Sequence, residues 1–258
     1  MKYLPLALLA LPMLFMSFYP REEESKEMAP VVVVEGEQAP VAVLELFTSQ
    51  GCSSCPPADA LLQELDRRAD AGENIIALSF HVDYWNYLGW SDPFSSPWYS
   101  ARQTDYTDRL GARTYTPQLV VNGRAEMIGS RKAEVKNAVA EALQTKASFV
   151  PRFKAEVDGK KVLVAYSLQE EVEGHRITAL LVQPTADSAV KRGENRGRDL
   201  HHVNVVRAME HQEAGKTGAL SLAIPEGAVA QELEVVLLVQ NKQSLAITGA
   251  QKVSLQRS

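Results

Sequence analysis

From Pro40 onward the apolar positions alternate between two periods. Val41–Phe47 is apolar with one interruption, Glu45, the pattern of a strand buried on both faces. Ala58, Leu61, Leu62, Leu65 and Ala69 then fall at helical spacing and predict an amphipathic helix over 57–70. Ile75–Val82 reads as a second strand. Ser96-Pro97 sets a capping hydroxyl before a proline at the first helical position, and Gly111 closes that helix near Leu110. Leu119–Val121, the Asn122-Gly123 turn and Ala125–Ile128 predict a hairpin. Val135, Ala138, Val139, Ala142 and Leu143 predict a last helix over 131–145.

After Ser148 the pattern changes. Short β-rich runs follow at Phe153–Val157, Val162–Leu168, Arg176–Val182, Leu200–Val206, Ala219–Ile224, Leu233–Val239 and Leu245–Leu255, separated by turn residues such as Asp158-Gly159 and Pro225-Glu226-Gly227. Seven such runs are the signature of a small sandwich. The expected organisation is an α/β domain over 41–147 followed by an all-β, sandwich-like domain over 148–258. Before it, Lys2 and the apolar run Tyr3–Tyr19 have the parts of a secretory signal. An uncleaved anchor, with 3–19 as a membrane tether, and a buried first helix are the alternatives. Residues 20–40 read as an acidic, proline-bounded linker, in which Val31–Val34 would suit an added edge strand.

The length of 258 residues allows one large domain or two ordinary ones, at ~100–200 residues each. A formal net charge of -5 argues against a nucleic-acid partner held by a basic face. Cys52 and Cys55 are the only cysteines, which excludes a disulfide-stapled scaffold and a Cys-only zinc site.

Cys52-Ser53-Ser54-Cys55 lies between a buried strand and an amphipathic helix. At a helix start, unpaired N–H groups and the positive end of the dipole favour a thiolate, the nucleophilic form. The second thiol, one turn along, is placed to attack a mixed disulfide formed on the first. The order strand, Cys52-x-x-Cys55, helix, strand, then Thr116-Pro117 ahead of a hairpin and a last helix, resembles the thioredoxin-like superfamily. The wider pattern Glu45 to Pro57, with His81-Val82-Asp83-Tyr84-Trp85, resembles an uncharacterised family of exported thioredoxin-like proteins. The resemblance implies a thioredoxin-like fold over 41–146 and a cis Thr116–Pro117 bond that faces the cysteines and pairs with substrate. It also implies thiol–disulfide exchange with a protein or small-thiol substrate and a redox partner, in a periplasmic, secreted or anchored setting, with no cofactor. Cys52 would attack, Cys55 resolve and Thr116 and Pro117 position the substrate strand. Glu45 is the nearest equivalent of the family's buried acid, displaced by one residue. Pro56 and Pro57 depart from the pattern: either the first helical turn is irregular, or the helix begins at one of them.

An insertion sets seven of the 18 aromatic residues (Tyr84, Trp85, Tyr87, Trp90, Phe94, Trp98, Tyr99) within 16 positions. If the first two strands are parallel, this segment emerges beside the cysteines. It is then either an apolar wall for substrate, led by Tyr84 and Trp85, or a satellite core. His81 and Asp83, two apart at a strand end, share one face and would orient one another. Arg102, Gln103 and Tyr106 read as surface or packing residues. The loop Arg192–Asp199 is mildly basic and leads to His202, so it reads either as a solvated hairpin or as a contact for an acidic partner. No spacing matches a zinc site. Two readings of another class remain: a binding protein, or a carrier of a soft metal such as copper, that uses the same cysteines, and an inert staple.

Overall fold

A computed structural model describes residues 39–255; the expected signal or anchor and Val31–Val34 lie outside them. Strands β1 (Ala42–Thr48), β2 (Ile75–His81), β3 (Gln118–Val121) and β4 (Ala125–Ile128) alternate with helices α1 (Pro56–Asp70), α2 (Pro97–Leu110) and α3 (Lys132–Ala142). Seven strands follow: β5 (Arg152–Asp158), β6 (Lys161–Ser167), β7 (His175–Ala189), β8 (Asp199–Glu213), β9 (Thr217–Ala223), β10 (Glu234–Asn241) and β11 (Ile247–Ser254).

The fold is mixed α/β, with a large, mostly antiparallel sheet ordered β11-β10-β7-β8-β2-β1-β3-β4 and a small sheet ordered β5-β6-β9. β1 and β2 are parallel, and β8 joins β2 in parallel at Ser79↔Val205. The expected sandwich is therefore built differently. Four of the later strands extend the first sheet, and only β5, β6 and β9 form a second layer. The reason is that β7 and β10 are apolar on both faces. Leu180, Val182, Val236 and Leu238 share one core with Val43, Phe47, Leu78 and Phe80. Their alternates Ala179, Leu181, Val235 and Leu237 pack under Val162, Val164 and Leu222 of the small sheet. On that same side, α1 and α3 cover Leu44, Leu46 and Ala77.

α2 covers the opposite face. Ser96 caps it by accepting from Trp98 N, Pro97 begins it, and Gly111 ends it in the left-handed region. Of the surface and packing roles expected for Arg102 the structure takes the second: it is buried, because Glu45 lies inside a strand with no access to water. Arg102 Nε and Nη2 donate to the two Glu45 oxygens at 2.5 and 3.1 Å, and Tyr106 Oη donates to Glu45 Oε1 at 2.6 Å. Gln240 Nε2 of β10 donates to Tyr106 Oη. Burial works against the Arg102 charge, yet adjacent Glu45 outweighs it and raises the guanidinium pKa. The β3–β4 turn closes a second junction between the halves of the sheet. Asn122 and Gly123 both have positive φ, Asn122 O accepts from Ile247 N, and a Cβ at Gly123 would lie 2.1 Å from Leu245 O.

Replacing Arg102 with Ala strands a buried carboxylate and is expected to cost about 3–5 kcal/mol. The double variant Glu45→Leu/Arg102→Met, with no buried charge left, is expected to recover most of it; denaturant midpoints of the three proteins check this.

Candidate functional site

β1 ends at Thr48, and the chain turns twice before α1. Cys52 N donates to Ser49 O, and Cys55 N donates to Cys52 O. Cys55 is the residue that caps α1, so Pro56 and Pro57 occupy its first two positions. Prolines cost nothing there, since the first N–H groups of a helix have no partner within it. They also leave the helix end without two of the donors that would face a thiolate. Cys52 and Cys55 are joined as a disulfide, and both residues are 0% exposed, while Ser53 and Ser54 face solvent. Ser54 Oγ lies 3.4 Å from Cys52 Sγ and donates a long, 3.5 Å hydrogen bond to Thr116 O.

The Thr116–Pro117 peptide is cis, and Pro117 O accepts from Gly129 N. This segment thus adjoins the cysteine turn through Ser54. Trp85 spans both: its Nε1 donates to Thr116 Oγ1 at 2.8 Å, and its Cβ lies 3.0 Å from where a Gly51 Cβ would stand. The parallel β1–β2 pair delivers the aromatic insertion to this edge. There the insertion divides: Trp90 Nε1 donates to Gln50 Oε1, Tyr84 Oη donates to Gln103 Oε1, Phe94 and Tyr99 turn inward, and Tyr87 and Trp98 are exposed.

His81 does not pair with Asp83. β2 ends at His81, so the two-residue alternation of a strand no longer governs Asp83, which accepts from Ser100 Oγ instead. His81 is buried, and its Nδ1 lies 2.7 Å from Asp92 Oδ2. That same Asp92 oxygen accepts from Gln50 N at 2.8 Å, and its other oxygen from Phe94 N. Burial would raise the Asp92 pKa, but His81 and the two amides outweigh it and hold the carboxyl below its usual value. Asp92 therefore fastens the insertion, the end of β2 and the start of the cysteine turn. Glu45 is apart from all this, with its oxygens taken by Arg102 and Tyr106.

The far end of the β7–β8 hairpin forms an arm. Asn204, at φ 47, bends β8, and its Nδ2 donates to Asp66 of α1. His202 then sits 3.8 Å from buried Asp59 of α1, with its ring against His81 at 4.6 Å between centroids. The tip, residues 190–198, reaches the cysteines: Asn195 Nδ2 donates to Gln50 O and Cys52 O, at 3.0 and 2.8 Å, and Glu194 Oε2 accepts from Ser53 N at 3.1 Å. Ser53, through hydroxyl and amide, keeps the Glu194 carboxyl below its usual pKa. Gln50 Nε2 donates to Ser188 Oγ of the same arm.

Asp92, Asn195 and Glu194 were not singled out by the sequence. Asn195 stood only as one residue of the basic loop, and its spacing between Gly193 and Gly197 was the sole local signal. Among the described residues, no group of three or more His, Cys, Asp or Glu side chains could hold a metal ion, and no helix is long and apolar enough to cross a membrane.

Residues 43–240 match the family described as Protein of unknown function (DUF1223). Among solved structures, the chain is similar to an Agrobacterium tumefaciens protein, at 26% identity and a TM-score of 0.65 over 86% of this chain and 98% of that one. It is similar in fold to HBP35 of Porphyromonas gingivalis, at 15% identity and a TM-score of 0.58 over 86% of this chain and 77% of that one. No curated protein matches it.

Because the folded pKa of Asp92 is depressed, its contribution to stability is present above the ordinary carboxylate pKa of 3.8 and is lost as pH falls through the folded value. Asp92→Asn is expected to be less stable than the parent at pH 5, with the gap narrowing towards pH 2; denaturant midpoints across that range measure it.

Proposed function

The chain belongs to the DUF1223 family, and we propose that it is an exported, thioredoxin-like protein that exchanges thiols and disulfides through Cys52 and Cys55. The observation that carries this reading is the convergence at one sheet edge. The Cys52–Cys55 pair closes the turn at the start of α1, and Thr116-Pro117 adjoins it through Ser54, at 3.5 Å. With only these two cysteines in the sequence, no other thiol of the chain competes for the bond. The signal-like run Tyr3–Tyr19 supports an oxidising compartment, where such a pair is maintained.

The chemistry follows from thiolate exchange. With both cysteines reduced, the Cys52 thiolate attacks one sulfur of a substrate disulfide, forming a mixed disulfide and releasing the other sulfur as a thiolate. Cys55, having lost its proton, attacks Cys52 Sγ. This re-forms the internal bond and releases the second substrate sulfur. Two electrons pass to the substrate, whose two thiolates take up protons from solvent. Thr116 and Pro117 would position a substrate strand, with Trp85, which donates to Thr116 Oγ1, and Tyr84 as the adjoining aromatic side chains. Buried His81 acts from behind, by holding Asp92 and with it the insertion, while half-buried Asp83 accepts from Ser100 of α2. Glu45 is left out of the chemistry, because both of its oxygens are engaged in the core.

With a dithiol as electron source, the protein is expected to accelerate reduction of insulin disulfides. Cys52→Ser should abolish that rate, and Cys55→Ser should trap a mixed disulfide visible by mass spectrometry. A Cys52→Ser protein as fast as its parent would refute the reading.

A further inference from the structure

An external thiolate must reach a sulfur before it can exchange with it, yet Cys52 and Cys55 are 0% exposed. The tip of the β7–β8 arm is bound to the same turn. It is a closed loop, held by Gly197 N to Val190 O, Val190 N to Arg198 O and Arg198 N to Asn195 O. From it, fully buried Asn195 donates to the carbonyls of Gln50 and Cys52, and its own Oδ1 is buried with no hydrogen-bond partner. Glu194 accepts from Ser53 N, so the amide next to Cys52 is committed to a carboxylate.

We infer that Asn195 and Glu194 are positioning residues that hold the cysteine turn in its disulfide form, so that the pair works as a reductant, its dithiol readily giving up two electrons, rather than as an oxidant. Two separate effects lead there. Asn195 latches the arm onto the main chain on either side of Gly51 and so slows attack on the bond. Glu194 acts on the equilibrium. A pair becomes a strong oxidant when its reduced form is stabilised as a thiolate; the backbone of this turn withholds that stabilisation, and the Ser54 hydroxyl, 3.4 Å from Cys52 Sγ, is shared with Thr116 O. Pro56 and Pro57 supply no N–H, Ser53 N is taken, and the group that takes it is itself an anion. An anion beside a thiolate disfavours it. The charged groups of the arm beside Glu194 in sequence are the exposed Lys191, Arg192, Arg196, Arg198 and Asp199; the first turn of α1 carries Asp59, and the insertion Asp83 and Asp92, the latter paired with His81. Glu194 is as exposed to solvent and salt as the arm's cations, but its contact with the turn is direct, through Ser53 N at 3.1 Å.

The direction of transfer rests on the exchange reading; the hold of the arm on the disulfide does not. Reduction by a dithiol is balanced: the reductant's thiolate attacks one cysteine sulfur, the other leaves as a thiolate and is protonated, and a second attack by the reductant closes its own ring. Two electrons and two protons pass to Cys52 and Cys55.

The test is made on the full chain in buffers of reduced and oxidised dithiothreitol, with thiols counted by alkylation and mass. Glu194→Gln keeps an acceptor for Ser53 N and removes the charge. The equilibrium constant for reduction should rise about tenfold, equivalent to about 30 mV, and the thiolate absorbance should appear at lower pH, which a merely structural role would not move. Asn195→Asp sets an anionic oxygen against two carbonyl oxygens. It should free the tip and raise the rate of reduction tenfold or more. Rates and equilibria within twofold of the parent in both variants would overturn the inference. If the variants shift as expected while no form of the chain reduces insulin, the hold of the arm stands and the exchange reading falls.

Discussion

Glu45 is a carboxylate inside a strand that is buried on both faces, and such a charge requires a partner in the same dry space. The partner is Arg102, which reaches it from α2 across the face of the sheet. Meeting that requirement does more than neutralise a charge. It draws α2 onto β1 and β2, brings Tyr106 and Gln240 into the same network, and so ties the first half of the chain to β10. The aromatic insertion hangs between β2 and α2, so the position of α2 decides where Trp85 and Trp90 arrive. They arrive at the cysteine turn.

The cysteine turn is thus held from three directions. Asp92 fixes its start from the insertion, Trp85 lies against Gly51, and the arm covers it through Asn195 and Glu194. The arm belongs to the later, β-rich half of the chain, which joins the sheet through β8. Its bend at Asn204 and its contacts along α1 at Asp66 and Asp59 lead it from the middle of the helix to the helix's start. In physical terms the later half supplies one wall of the site and is not an appendage to it.

Much of this was readable in advance. The helical spacing from Ala58 to Ala69, the Ser96-Pro97 start and Gly111 stop, the Asn122-Gly123 turn and the seven later β-rich runs each have a local cause, and each corresponds to an observed element. The prolines after Cys55 left two helix starts open, and the structure takes the one in which neither breaks a hydrogen bond. The partners of individual side chains leave no such local trace. His81 and Asp83 obey a strand's alternation only while the strand lasts, and it ends at His81. Arg102 read as a surface or packing residue with no named partner, because nothing near it in sequence announces Glu45, 57 positions away.

The sequence by itself determined the elements and the cysteine pair, since periodicity, caps and turn residues act over a few positions and leave a local trace. Only the tertiary structure decided that β8 would pair with β2, merging two expected β layers into one continuous sheet, and that Asn195 would meet Cys52. These contacts span 124 to 145 residues. They depend on the twist and register of strands that no local pattern encodes, and on which buried polar group finds which partner once the chain has closed.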